Sequence, residues 1–206
     1  MKVFFYFDPA CPYSWLASRW LLSIEKIKAL EIEWKPFSLA LKNHVLDKEE
    51  MSDQDYEALS SQRLLRVMLA AQKLEKADLG ALYTLAGKRY HENGTPYDDR
   101  AAEIMLRAAK LPVTLSEMAE QTTYDEIIQE SMNDAMGIVG KSIGTPVIAV
   151  KYENNPEMIR GFFGPVLLTP PNEEESLVLW DAFVMLLPLD VYEISRSYHP
   201  LLPQSS

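Results

Sequence analysis

The pattern of apolar and polar positions along this chain predicts four short strands, with a long helical stretch between the second and the third. Apolar runs at residues 3–7 and 147–150 are typical of buried strands, while residues 31–37 alternate apolar with charged side chains. Residues 158–163 form a further strand pattern, which we expect to pair antiparallel with the strand before it. Between residues 52 and 144 no strand pattern occurs and helix start signals recur, so this stretch is predicted to be helical.

A helix is predicted directly after the first strand. Its apolar positions are Trp15, Leu16, Trp20, Leu21, Ile24 and Ile27. A strand, a helix and a second strand in this order predict a parallel crossover connection. Residues 38–47, which follow the second strand, are expected to form a loop.

Capping signals mark the ends of the later helices, because a Ser, Thr or Asn side chain can accept a hydrogen bond from an unpaired backbone N–H in the first turn. The predicted caps are Ser52 with Asp55, Thr95 before Pro96, Thr114 with Glu117, Thr123 with Glu126, and Asn172 before Glu173–Glu175.

The fourth of these helices has an apolar face at Tyr124, Ile127, Ile128, Ser131, Ala135 and Ile138. The last helix is expected to turn Leu177, Trp180, Ala182, Phe183 and Leu187 toward the sheet. A turn is predicted at Asn154-Asn155-Pro156, and the tail with Pro200, Pro203 and Ser205 is expected to be partly disordered.

Composition narrows the class of protein and its compartment. The net charge of −10 and the pI near 4.8 argue against a nucleic-acid or an anionic-membrane partner, since both would need a basic surface. No apolar run reaches the length that spans a membrane, and the N-terminus lacks the features of a signal peptide. One cysteine excludes an internal disulfide and is typical of a reducing compartment, so we expect a cytoplasmic protein.

The one cysteine, Cys11, stands between the first strand and the first helix. Pro12 takes the first helical position, where its missing N–H costs nothing. A sulfur at a helix N-terminus faces unpaired N–H groups and the positive end of the helix dipole, which predicts a lowered pKa for Cys11. A thiolate is the nucleophile of thiol–disulfide chemistry. The alternative is an inert buried cysteine, which is the commoner role of this residue type.

The stretch Phe7-Asp8-Pro9-Ala10-Cys11-Pro12-Tyr13-Ser14-Trp15 resembles the C-x-x-C site of thioredoxin-fold oxidoreductases, with Ser14 in place of the second cysteine. It is most similar to the DsbA-like branch, which includes the 2-hydroxychromene-2-carboxylate isomerases and the kappa-class glutathione transferases. Those two groups usually carry Ser where this chain has Cys11. Residues 82–87 (LYTLAG) and 162–167 (FFGPVL) resemble the actinobacterial mycothiol-dependent nitroreductases and mycoredoxin-like proteins.

This resemblance implies an α/β, thioredoxin-like fold with a central mixed sheet of about four strands. Together with the missing strand pattern between residues 52 and 144, it predicts a first thioredoxin-like part at residues 1–51, an all-helical insertion at residues 52–143 and a second thioredoxin-like part at residues 144–206. It also implies a cis bond between Thr145 and Pro146, opposite the cysteine. The same resemblance favours a cytoplasmic reductase.

The CPYS motif of residues 11–14 predicts a monothiol mechanism. Ser14 lacks the thiol that would resolve a covalent adduct on Cys11, so resolution requires an external low-molecular-weight thiol. The subgroup resemblance implies mycothiol, with glutathione as the analogue elsewhere. One alternative is a kappa-class-like transferase or isomerase, in which Cys11 only orients a bound thiol. Another is a non-enzymatic binding module whose cysteine has an ordinary pKa.

Candidate site residues are catalytic Cys11 and Ser14, with Pro12, Tyr13, Trp15, Thr145 and Pro146 as the residues that bind the substrate or the thiol. Ser14 either donates to the Cys11 sulfur or bonds locally to the backbone. Trp15 is either part of the site or part of the core. Asp8 would oppose a neighbouring thiolate, so its expected role is turn formation before Pro9.

The remaining polar residues give no second site. Arg63 and Arg66 lie on one helix face and could bind carboxylates of a thiol cofactor, but a solvated face is the simpler interpretation, as it is for Arg19, Lys88 and Arg89. His44, His91 and His199 lack metal-ligand spacing, so no metal site is expected, and His91 is interpreted as a cation near a helix end. Gly140-Lys141-Ser142 lacks the first glycine of a phosphate-binding loop, so no nucleotide is expected either.

The expected partners are small thiols and mixed disulfides, and the protein is expected to be a monomer or a homodimer.

Overall fold

The computed structural model describes residues 1–152, 155–191 and 193–195. Within these residues four strands form one mixed sheet in the order β2-β1-β3-β4. The strands are β1 (Lys2–Phe7), β2 (Glu31–Pro36), β3 (Val147–Tyr152) and β4 (Asn155–Phe163). β1 pairs in parallel with β2 and antiparallel with β3, and β3 pairs antiparallel with β4. The mixed sheet and the antiparallel last pair are confirmed.

Seven α-helices accompany these strands in the described part of the chain. They are α1 (Pro12–Ile24), α2 (Leu39–Lys42), α3 (Asp53–Glu75), α4 (Leu79–Gly87), α5 (Ala101–Ala108), α6 (Asp125–Val139) and α7 (Glu173–Leu186). Short 3₁₀ segments lie at Val45–Asp47, Val113–Glu120 and Thr122–Tyr124, and α4 runs into a π-helical turn at Lys88–Glu92. Every regular element between β2 and β3 is helical. The division of the chain at residues 52 and 143 stays a prediction.

The central strands place the core on both faces of the sheet. Side chains alternate along β1, so that Phe5 and Phe7 lie on one face and Tyr6 on the other. Phe7 packs on Tyr83 of α4 with ring centroids 4.2 Å apart, whereas Tyr6 lies within electrostatic range of Asp134 on α6. Phe162 lies on the face of Phe5 and contacts α7. The sheet therefore separates α6 from a layer that contains α4 and α7.

Two glycines allow α4 to approach the core closely. A Cβ added at Gly80 would lie 2.2 Å from Nε1 of Trp34, and one at Gly87 would lie 2.2 Å from Cζ3 of Trp15. Residues seven apart are two turns apart on one helix face. The face of α4 that carries both glycines therefore rests directly on two tryptophan rings.

Several helix starts differ from the prediction because backbone and side-chain partners override local capping signals. Residues 38–47 are not a plain loop, since Ser38 caps α2 and Asp8 binds the Leu39 N–H. The stretch that begins at Thr95 and Pro96 starts no helix, and α5 begins only at Ala101. Neither Thr114 nor Thr123 is a cap, as both lie within 3₁₀ segments.

Other predicted helix ends and faces agree with the structure in part. The Ser52 and Asn172 caps are confirmed, and each belongs to a complete capping box. α1 ends at Ile24, which leaves Ile27 exposed, and Ala182 faces solvent rather than the sheet. The turn predicted at Asn154-Asn155-Pro156 lies partly outside the described residues, as does the tail from residue 196 onward.

Candidate active site

A tight turn between β1 and α1 presents Cys11. The Cys11 N–H donates to the Asp8 carbonyl at 3.1 Å, and the Cys11 carbonyl accepts from the Trp15 N–H at 3.1 Å. Cys11 is thus the N-cap of α1, and Pro12 occupies the first helical position, as predicted. The sulfur stands at the end of the helix where backbone N–H groups are unpaired.

Thr145 and Pro146 face Cys11 from the start of β3. The thiol of Cys11 donates to the Thr145 carbonyl at 3.3 Å, across 134 residues of sequence. The Thr145–Pro146 bond is cis, as the resemblance implied, and the Pro146 carbonyl accepts from the Gly164 N–H at 2.8 Å. The two residues are far apart in sequence but in contact in the fold, because β3 lies beside β1 in the sheet.

The electrostatics of Cys11 correct one prediction. The side chain is only 5% exposed, and this burial raises the pKa of the Cys11 thiol above its ordinary value, against the sequence-based expectation. The Thr145 side chain and the backbone and side chain of Ser14 act in the opposite direction and lower that pKa, while the Asp8 charge raises it. Helix-end placement alone was a poor guide, because it says nothing about how deeply the folded chain buries the sulfur.

Two hydroxyl groups beside the sulfur have no other hydrogen-bond partner. Ser14 Oγ and Thr145 Oγ1 are buried, and apart from the Cys11 sulfur on which they act, neither has a partner in the structure. A neutral thiol has one proton to donate and is a weak acceptor, whereas a thiolate accepts several hydrogen bonds. Both hydroxyls are therefore available to a negatively charged sulfur. This favours the first of the two interpretations of Ser14.

Asp8 stabilises the turn that precedes Cys11 by accepting three hydrogen bonds. Its carboxylate is fully buried, and it accepts from Ala10 N–H at 2.9 Å, from Leu39 N–H at 2.7 Å and from the Ser61 hydroxyl. The bond to Ala10 is the local turn that the sequence predicted. Burial is the largest influence and raises the pKa of Asp8 to about 6, although these three donors act to lower it.

The aromatic neighbours of Cys11 differ in environment. Tyr13 and Pro12 are partly exposed at the start of α1. Trp15 is 3% exposed and packs edge-on against Tyr83, so the structure places it in the core, which is one of the two alternatives left open.

Two residues that sequence reasoning did not select contact the same turn. His91 Nε2 lies 2.8 Å from the Pro9 carbonyl, and the Tyr97 hydroxyl donates to that carbonyl at 3.1 Å. Burial lowers the pKa of His91 to about 4, so the ring is neutral at neutral pH and the interpretation of His91 as a helix-end cation is wrong. No spacing in the sequence links residues 9, 91 and 97, and only the fold brings them together.

Comparison with known proteins places this geometry in a family. The family model described as "Rv2466c-like: Mycothiol-dependent nitroreductase Rv2466c" matches residues 10–196. The chain belongs to that family. The match includes both sides of the site, the Cys11 turn and the Thr145–Pro146 segment.

Individual proteins are similar to this chain over most of its length. "Uncharacterized protein Rv2286c" of Mycobacterium tuberculosis is 26% identical over 200 residues, which cover 95% of this chain and 82% of that protein. The cytosolic disulfide reductase DsbM of Pseudomonas aeruginosa aligns with a TM-score of 0.55 and 15% identity, over 90% of this chain and 100% of DsbM. A 2-hydroxychromene-2-carboxylate isomerase aligns with a TM-score of 0.52 and 16% identity, over 90% and 96% of the two chains. The DsbA-like, thioredoxin-type fold is thereby confirmed.

Membership in the Rv2466c-like family supports a redox role that involves a thiol. The described part of the chain contains no cluster of three or more His, Cys, Asp or Glu residues that could hold a metal ion. In the same residues, no helix is both long and apolar enough to cross a bilayer.

The basic residues of α3 in this family member have structural partners. Arg66 makes a paired contact to Asp125 at 2.6 and 2.7 Å and a third bond to the Ala119 carbonyl at 2.9 Å. Arg63 pairs with Glu120 at 3.1 Å on the surface. Both line a groove of about 340 Å³, yet their charges are already compensated there. The proposal that they bind cofactor carboxylates gains no support.

Proposed function

We propose that this protein is a monothiol thiol–disulfide oxidoreductase that works as a reductase with Cys11 as its nucleophile. The single observation that carries the proposal is the position of Cys11. It lies at the N-cap of α1, 3.3 Å from the Thr145 carbonyl, beside two buried hydroxyls that have no hydrogen-bond partner other than the sulfur. A site built this way supplies more donors than a resting thiol uses. Those donors match the charge that develops when the thiol loses its proton.

The proposed reaction has two exchange steps. The Cys11 thiolate attacks the sulfur that the low-molecular-weight thiol contributes to a mixed disulfide. A new S–S bond forms, and the sulfur of the substrate leaves as a thiolate, which takes up a proton. A low-molecular-weight thiol then attacks the adduct, regenerates Cys11 and leaves as its own symmetrical disulfide. The net reaction converts the mixed disulfide and one free thiol molecule to the reduced substrate and the symmetrical disulfide, so atoms and electrons balance without a further reductant. Ser14 cannot take this role, because its hydroxyl has no redox chemistry.

Family membership makes mycothiol the first candidate for the external thiol, with glutathione as the second. Reduction of nitro compounds, which the family description names, is a second activity to test at the same site. We assign the protein to the cytoplasm, because a lone reduced cysteine persists in a reducing compartment.

One observation favours a second candidate function. Burial raises the pKa of Cys11, so the free protein carries a protonated thiol at neutral pH. A protonated thiol can act as a donor that orients the sulfur of a bound small thiol, as in a kappa-class-like transferase or isomerase. In that function Cys11 never becomes covalently modified.

The deciding experiment follows the covalent state of Cys11. Wild type and Cys11→Ser are supplied with a mixed disulfide of a model compound with mycothiol, and then with glutathione, and turnover is measured together with intact mass. We expect turnover and a transient adduct in the wild type, and neither in the variant. Retained activity of Cys11→Ser would move the transferase or isomerase ahead. Inactivity of both proteins would favour a non-enzymatic binding module.

A further inference from the structure

We propose that His91 and Tyr97 are positioning residues for Cys11, which orient its sulfur through the peptide unit between Pro9 and Ala10. The inference assigns two residues beyond those in the proposed reaction. It rests on Cys11 being the reacting group, but its test does not require turnover.

The Pro9–Ala10 peptide unit is held from both sides. Its carbonyl accepts from His91 Nε2 at 2.8 Å and from the Tyr97 hydroxyl at 3.1 Å. Its N–H donates to Asp8 Oδ1 at 2.9 Å and lies 3.1 Å from Ser61 Oγ. The C=O and N–H of one peptide point in opposite directions, so these four side chains together fix the rotation of the peptide plane.

His91 is well suited to this role. A carbonyl oxygen only accepts, so the contact requires a hydrogen on Nε2 of His91. The ring is stacked on Trp15, with centroids 5.4 Å apart, and is thereby set in its orientation. It belongs to the π-helical turn that continues α4, and irregular turns of this kind often occur at functional sites.

Tyr97 supplies the second donor from a different segment. Its ring is 7% exposed and stacks on Tyr90 with centroids 4.4 Å apart. Tyr90 contributes only its ring to this arrangement, because its hydroxyl interacts with Glu57 instead. The two tyrosines therefore share a packing environment but differ in whether they contact the turn.

The peptide unit acts on Cys11 because Cys11 directly follows Ala10. A change in the rotation of this unit swings the Cys11 backbone, and with it the sulfur, away from the Thr145 carbonyl. A released sulfur is less buried, and its pKa then falls back toward the ordinary value, since burial is the largest influence that raises it. Loss of one donor should thus make the thiol more reactive toward a small reagent, by about fivefold, which corresponds to one net hydrogen bond.

The experiment measures the rate of Cys11 alkylation by iodoacetamide as a function of pH. Cys11 is the one cysteine in the sequence, so the rate reports on it alone. Tyr97→Phe removes the hydroxyl and keeps the ring, and His91→Phe removes the donor and keeps a ring to stack on Trp15. We expect each to alkylate about fivefold faster than wild type and to have a lower midpoint of the pH profile.

Two matched variants separate positioning from packing. Tyr90→Phe removes a hydroxyl from the same stack and should leave the profile of the wild type unchanged. His91→Gln keeps an N–H donor and should alkylate at close to the rate of the wild type. Urea unfolding shows that each variant is folded under the conditions of the assay.

Wild-type alkylation profiles for both Tyr97→Phe and His91→Phe would overturn the proposal, as would an equal change in Tyr90→Phe. If His91→Phe does not fold, Tyr97→Phe decides alone, because it removes a single oxygen atom. A protein that reduces no disulfide can still give the expected alkylation result, so failure of this proposal and failure of the proposed function are distinguishable.

Discussion

Two neighbouring groups of buried polar atoms differ in how completely they are hydrogen-bonded. The carboxylate of Asp8 has three donors and no exposed surface. The hydroxyls of Ser14 and Thr145, beside the Cys11 sulfur, have no hydrogen-bond partner other than that sulfur. Proteins leave few buried polar groups unpaired, because each costs free energy of folding. The difference separates a group that stabilises the turn from groups that are available to a reacting sulfur.

The largest expected effect tests whether the sulfur is the reacting atom. Cys11→Ser should reduce disulfide turnover by more than about a thousandfold, as removal of a nucleophile does in other enzymes. Stability should change little, because the substitution replaces one small buried atom with another. Steady-state turnover and urea unfolding measure the two effects, and a variant that retains turnover would contradict the proposed mechanism.

The next effect tests the fully hydrogen-bonded carboxylate of Asp8. Asp8→Ala removes the acceptor of two backbone N–H groups and of the Ser61 hydroxyl, and should lower the free energy of unfolding by about 3 kcal/mol. Glu130→Ala, at an exposed carboxylate on α6, is the control and should change it by less than about 0.5 kcal/mol. Equal losses in urea unfolding would mean that Asp8 has no special role in the turn.

The pH dependence of stability follows from the same carboxylate. The pKa of Asp8 is raised from 3.8 to about 6 by folding, so between these pH values the folded state binds more protons than the unfolded state. This group therefore makes stability fall as pH rises from about 4 to about 6, by roughly 2 kcal/mol. We expect Asp8→Asn to lack that contribution.

Unfolding of both proteins at several pH values in this range measures the difference directly. His91, whose pKa is lowered to about 4, contributes with the opposite sign, but it does so in wild type and in Asp8→Asn alike. Identical pH profiles for the two proteins would show that the Asp8 carboxyl does not titrate in this range.

The smallest expected effect tests the hydroxyls of Ser14 and Thr145. Ser14→Ala and Thr145→Val should each raise the pKa of Cys11 by about one unit, because a hydrogen bond to a charged sulfur is worth about 1.4 kcal/mol or more. Ser131→Ala is a matched control, since its hydroxyl is also buried and unpaired, but on α6. The pH dependence of alkylation gives the pKa, and a shift in the control as large as in Ser14→Ala would contradict the assignment.

Sequence patterns predicted the parts of this molecule that depend on local order. The strands, the Cys11 turn and Pro12 at the start of α1 all agree with the structure. The position of the cis Thr145–Pro146 bond opposite the cysteine also agrees, but it was implied by the family resemblance and not by local order. The pKa of Cys11 was predicted in the wrong direction, because a helix end is visible in sequence and depth of burial is not.

The contacts of the turn with the helical segments were missed for a related reason. His91 and Tyr97 reach Pro9 across more than 80 residues, and neither belongs to a motif that points there. The predicted cap at Thr95 failed in the same region, where Tyr97 is directed to the Pro9 carbonyl. Tertiary partners decided the local structure at these positions, and they leave no periodic signal.

The contact of α4 with two tryptophans has a consequence for mutational scanning. Gly80 and Gly87 have no side chain and no chemistry, yet an added methyl group at either would collide with an indole ring. Displacement of α4 at Gly87 would also shift His91, four residues further along the chain. A screen that scores only activity would therefore rank Gly87 among the catalytic residues, although its contribution is the space that it leaves empty.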